Sequence, residues 1–185
     1  MGYERYTEPK LPVTMAGISE RARGGATGLR PFAEPEGTSK RTALIHYRWR
    51  PTYEALCRLA ELPGDPYDDV IMEYVNPASG GSFYPTFACC IQMIRPGVRT
   101  KAHRQSSSSV YYVFDGEGQT VINGKQYQWS KGDLFVVPPS FWHEHANTSK
   151  VPALLFSVHD FPLMKNLGLY REEPFPSEHQ PVNKG

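Results

Sequence analysis

The chemistry this sequence offers is concentrated in three histidines held by two glycine-opened stretches. The first runs from Gly97 through His103, Gln105 and the serines Ser106–Ser109 to Tyr111 and Gly116. The second runs from Gly132 through Pro138, Ser140 and Trp142 to His143, Glu144, His145 and Asn147. Neutral imidazoles are the ordinary ligands of iron, manganese and zinc, usually with a carboxylate to offset the ion's charge. His103 and His143 supply two nitrogens. His145 lies two residues after His143, so strand alternation aims both at one face and sends Glu144 to the other. The candidate metal ligands are therefore His103 and His143, with His145 or the amide oxygen of Gln105 as a third. Ser109, Tyr111 and Trp142 are the candidates to face a bound substrate. A second reading stays open, in which these side chains are packed barrel residues whose polar atoms are satisfied internally.

The elements that must position these residues are short and mostly extended. Ala43–Trp49 reads as a strand. Pro51 then sits at the start of a short helix over Thr52–Leu59 that buries Leu56. Strands follow at Val70–Val75, Phe87–Ile94 and Val110–Phe114. Gln119–Ile122 and Gln126–Trp129 pair across Asn123-Gly124, because a type I′ turn needs positive φ at both central positions. Leu134–Val137, Trp142–Ala146 and Leu154–Val158 complete the series, and a second short helix is expected over Leu163–Leu167. Closely spaced strands with turns between them argue for an all-β sandwich or barrel. Residues 1–40, rich in Gly, Pro, Arg and Glu, read as an arm or linker. Residues 41–173 form the domain, and 174–185 a frayed tail.

Bulk properties narrow the function classes. A 185-residue chain with net charge +1 has no charge reason to seek nucleic acid or an anionic membrane, and no segment reaches the roughly 20 apolar residues of a membrane span. The N-terminal residues lack the apolar run of a secretory leader. Adjacent Cys89 and Cys90 face opposite sides of a strand, so free thiols in a reducing cytoplasm are expected. Arg95, Arg99, Lys101 and Arg104 crowd one stretch; a solvated face is the expected account, with a carboxylate-binding patch as the alternative.

The two histidine stretches resemble the paired motifs of a cupin, a jelly-roll β-barrel that often holds one metal ion. Gly97, His103 and Gly116 fall in the places of the first motif, with Gln105 and Ser109 where it has a second His and a Glu. Gly132, Pro138, His143 and Asn147 fit the second, with Ser140 replacing a Gly. The flanking text resembles the gentisate 1,2-dioxygenase family, at its C-terminal cupin. Its residues are Glu73–Gly81, Pro85-Thr86-Phe87, Ile91-Gln92, Gly116-Glu117-Gly118, Trp129, Asp133–Pro138, Trp142–His145, Leu155-Phe156-Ser157 and Leu167–Glu173. The 1-hydroxy-2-naphthoate dioxygenases are similar.

The resemblance implies a single cupin with an N-terminal arm and short flanking helices. It implies Fe(II)-dependent ring cleavage of a small aromatic carboxylate with O2, in an enzyme of two barrels whose main iron lies in the other half. It also implies a homodimer or association with another cupin. The alternative is a non-catalytic cupin for dimerisation or small-molecule binding.

Overall fold

The computed structural model describes residues 46–76 and 80–183. The expected arm and the first three residues of the strand expected over Ala43–Trp49 lie outside them; the other four are described and are not extended strand. His46–Arg48 is irregular and Trp49 is already helical. Helix α1 spans Trp49–Leu59, three residues earlier than expected; Pro51 falls in the first turn, where its missing N–H costs nothing.

Ten strands follow. They are β1 (Val70–Glu73), β2 (Ala88–Ile94), β3 (His103–Gln105), β4 (Ser109–Asp115), β5 (Glu117–Ile122), β6 (Lys125–Ser130), β7 (Leu134–Val137), β8 (His143–Ala146), β9 (Ala153–His159) and β10 (Glu172–Pro174), with helix α2 (Phe161–Asn166) between β9 and β10. They form two five-stranded sheets, ordered β1-β2-β9-β4-β7 and β10-β3-β8-β5-β6, and every pairing between strands is antiparallel. This is the all-β jelly roll the sequence predicts. The very short β3 and β10 were not expected from the sequence.

Burial explains the strand texts. In β4 the alternation is strict: Ser109, Tyr111 and Val113 face in, while Val110, Tyr112 and Phe114 face out. The β2 text is apolar but for the buried Gln92 because both its faces are covered. On the inside a core of Ile94, Tyr111, Val113, Trp129, Val137 and Leu155 fills the barrel. Outside, Leu56 of α1 packs on Val70, Ile91, Met93 and Leu154. Asn123 and Gly124 take φ of 47° and 78° between β5 and β6, the type I′ geometry expected.

One expectation needs correcting. From Phe175 to Asn183 the chain is pinned, not frayed. The Phe175 N–H donates to the Ala102 carbonyl at 2.8 Å, and the Ala102 N–H donates to the Glu178 carbonyl at 2.6 Å. The buried Gln180 accepts from the Gly124 N–H at 2.9 Å, and its amide donates to the Val121 carbonyl at 3.0 Å. The basic stretch is the partly solvated face the sequence predicts, and its cations are paired. Arg95 pairs with Asp69, Arg99 with Glu144, Lys101 with Glu178 and Arg104 with Glu173, which neutralises each cation locally.

Candidate functional site

Strands β3 and β8 bring the histidines together. His103 and His143 are cross-strand partners, and their ring centroids lie 4.4 Å apart. His145, on the same face of β8, sits 5.8 Å from His143. All three are buried. The Tyr111 ring closes one side, 5.1 Å from His145 and stacked on Phe135 at 4.9 Å. Tyr67 stacks on His103 at 5.0 Å.

What holds each ring decides what it can offer. His103 Nδ1 lies 3.1 Å from Glu172 Oε1. The bond to His103 holds the Glu172 carboxyl below its usual range, with a further bond from the Tyr170 hydroxyl. An ionised carboxylate accepts only, so His103 donates from Nδ1, and in its neutral form Nε2 is left as a bare lone pair. His143 Nδ1 lies 3.1 Å from the Phe141 carbonyl, also only an acceptor, so its Nε2 is bare too. His145 Nδ1 meets the Thr120 hydroxyl at 2.8 Å. The Nε2 atoms of His103 and His145 are buried without a partner.

Burial and the neighbouring imidazoles push the protonation of His143, His145 and His159 down. His143 falls well below the ordinary imidazole value, by desolvation and then by the charge His103 would carry. His145 is pushed down to about 3 and His159 to about 4, in both cases mainly by desolvation. These rings are neutral at pH 7, as metal ligation or hydrogen bonding requires.

The other expected site residues are distributed around the cluster. Gln105 is half-buried, and its Oε1 already accepts from Ser107 at 3.0 Å. Ser109 is buried with its hydroxyl 2.7 Å from His159 Nδ1; it also hydrogen-bonds Tyr111, whose phenol burial pushes far above its usual range. Gln105 and His159 help to line a side cavity of about 260 Å³, together with Asp68, Lys165, Tyr170 and Glu172. Desolvation pushes Asp68 up to about 6, against the pull of His103. Trp142 is not brought to the histidines. It lies on the other face of β8, edge-on to Phe175 at 5.0 Å and under the Arg104 guanidinium at 4.4 Å. There it lines a separate cavity of about 450 Å³.

Sequence reasoning missed Glu172 and Thr120 as the partners that orient His103 and His145. Glu172 follows His103 by 69 residues on a three-residue strand with no periodic signal. Thr120 pairs with His145 across β5 and β8, a register visible only once the sheet is formed.

Residues 90–159 match the family described as Cupin domain. The chain is 44% identical over 141 residues to a 5-aminosalicylate 1,2-dioxygenase from Comamonas sp, covering 74% of this chain and 37% of that protein. It is 32% identical over 170 residues to gentisate 1,2 dioxygenase 1 of Aquipseudomonas alcaligenes, covering 91% of this chain and 48% of the relative. The crystal structure of a salicylate 1,2-dioxygenase from Pseudaminobacter salicylatoxidans superposes with a TM-score of 0.67 at 30% identity, over 80% of this chain and 43% of that one. Over most of its length the chain is related in sequence to the gentisate-type 1,2-dioxygenases. It spans less than half the length of each of these relatives.

The family implies iron, and the donors here were tested against that. A three-histidine centre needs three bare nitrogens converging on one point. Among the described residues no group of three His, Cys, Asp or Glu is placed to hold a metal ion. His103 and His143 are close and bare at Nε2; His145 is farther off and held at Nδ1 by a hydroxyl. The residues fit a two-imidazole pair and do not fit a complete three-histidine iron site.

Proposed function

We propose that this chain serves as one barrel of a gentisate-type dioxygenase, in oxidative ring cleavage of a hydroxylated aromatic carboxylate by O2. In this reading it corresponds to the C-terminal cupin, and the Fe(II) that activates O2 is held by a second cupin with a complete ligand set. The observation that carries the reading is the mismatch between kinship and ligand count. The relatives are ring-cleaving dioxygenases more than twice the length they share with this chain, while among its described residues no group of three His, Cys, Asp or Glu is placed to hold a metal ion.

The second cupin docks, in this proposal, on the outer face of β4 and β7. Val110 and Val136 are direct cross-strand partners there, as are Tyr112 and Leu134. Together with Phe114 they remain exposed, while α1 covers the other half of the same sheet. A contiguous apolar patch on a sheet edge marks an association surface and is an aggregation liability when bare. The three free thiols support a reducing, cytoplasmic setting.

The test is turnover under anaerobic Fe(II) loading followed by admission of O2, with gentisate, salicylate and 5-aminosalicylate in parallel. Oxygen uptake and a near-ultraviolet product are expected only when a co-expressed cupin with a full histidine set is present. Turnover by the chain alone would place the iron in this barrel. Absence of turnover in both arms would remove the dioxygenase reading. Light scattering after gel filtration reads the docking: a mixed complex lost on Leu134→Lys supports it, and a clean monomer or a homodimer contradicts it.

A further inference from the structure

Whether His145 can ligate a metal depends on which of its nitrogens carries the proton, and Thr120 settles that. The Thr120 Oγ1 lies 2.8 Å from Trp129 Nε1 and 2.8 Å from His145 Nδ1. These are its two side-chain partners among the described residues, and Thr120 is completely buried. An indole N–H only donates, so Trp129 takes one of the acceptor positions of Oγ1. Were His145 to donate from Nδ1, the buried hydroxyl proton and the Nε2 lone pair would both lack partners, whereas with Nδ1 as acceptor only the Nε2 proton does. The acceptor in reach is His145 Nδ1. A neutral imidazole that accepts at Nδ1 carries its proton on Nε2.

The contrast with the other two rings is chemical. A carboxylate holds His103 and a carbonyl holds His143, and neither can donate. In the neutral form both therefore present lone pairs at Nε2, whereas neutral His145 presents an N–H. The Trp129 ring is itself fixed by Gly118, where a Cβ would collide with it, and by stacking on Phe135 at 6.1 Å. The donor that drives the chain of bonds is thus part of the packed core.

We propose that Trp129, Thr120 and His145 form a tautomer lock. Thr120 is a positioning residue that keeps His145 a hydrogen-bond donor and withholds the third imidazole from a divalent ion, so that the barrel binds such an ion through His103 and His143 alone, and weakly. The lock is independent of the ring-cleavage reading, since its test involves no turnover, and failure of either leaves the other standing.

The direct test is long-range proton–nitrogen correlation on the histidine-labelled, metal-free full chain at pH 7, with His145 assigned by the signal lost in His145→Phe. The expected result is a proton on Nε2 of His145 and on Nδ1 of His103 and His143; a proton on Nδ1 of His145 overturns the proposal. A second arm titrates Co²⁺ alone into the unchanged chain, Thr120→Val and Thr120→Ser, followed by calorimetry and visible absorption. Removing the hydroxyl frees Nε2, so the Val variant should bind Co²⁺ about 10-fold or more tighter, the scale on which partners of metal-ligating histidines act. The Ser variant should match the unchanged chain. Equal affinity in a folded Val variant contradicts the lock; if that variant does not fold, the spectrum of the unchanged chain still decides.

Discussion

The two faces of β8 are built to opposite rules. On the inner face His143 and His145 are buried among aromatic rings, and His145 Nε2 has no partner. On the outer face Glu144 is just as buried, yet Arg99 pairs with one carboxylate oxygen and the Gln180 N–H donates to the other at 3.1 Å. The outer face spends its polar groups on holding the C-terminal segment in place. The inner face leaves polar groups unspent, at a cost in stability that a ligand site explains and packing alone does not. Stability should therefore answer to the outer face and binding to the inner one.

Acid should break the inner face first. His143, His145 and His159 have their folded pKa depressed, so the unfolded chain binds more protons below the free imidazole value near 6.5. Stability is then full above pH 6.5 and lost as pH falls toward about 4 for His159 and about 3 for His145. Each proton taken up on unfolding steepens the loss by about 1.4 kcal/mol per pH unit. Asp68, raised to about 6, works the other way, adding stability as pH falls from 6 toward 4 and offsetting one proton. Urea midpoints of the metal-free chain at pH 7, 6, 5 and 4 should drop with increasing steepness. A flat profile would contradict the desolvated cluster.

On the outer face, Arg99→Met should cost about 3 kcal/mol, because it strands a buried carboxylate; Arg99 is half exposed, which sets the figure at the low end of that range. Chemical denaturation at pH 7 measures it. Gln180→Ala should cost about 1–2 kcal/mol through the lost bonds to Gly124 and Val121, and loss of hydrogen-exchange protection at Gly124 would locate the effect. The smallest change is expected on the inner face. His103→Gln should shift stability by under about 1 kcal/mol at pH 7, since a polar side chain of similar reach can still meet Glu172, while abolishing Co²⁺ binding. A large loss of stability with binding intact would invert the comparison.

Much of this arrangement is legible in the sequence, and the rest fails for identifiable reasons. The Asn123-Gly124 turn, the β4 alternation and the apolar β2 run announce their own geometry, because each is a local consequence of φ or of burial. The inward aim of His145 and the outward aim of Glu144 follow from alternation as well. The same rule, with His143 facing in, sends Trp142 out, where it meets Phe175 and Arg104. What alternation cannot supply is the partner on the next strand. Three-residue elements such as β3 and β10 carry no period, so Glu172 beside His103 is invisible until the sheet is assembled. The C-terminal segment reads as frayed because its apolar content is low; it is ordered instead by hydrogen bonds to the β5–β6 turn and to Glu144. Imidazole is the ligand type the sequence offers, but in the proposed lock ligand competence depends on tautomer, which depends on Thr120.

The central claim, that this barrel offers a metal two imidazoles and not three, is tested most directly by its stoichiometry with iron. Protein purified under nitrogen, incubated with excess Fe(II) and desalted should retain well below one iron per chain by elemental analysis. One iron per chain held through desalting, with X-ray absorption showing three nitrogen ligands, would contradict it.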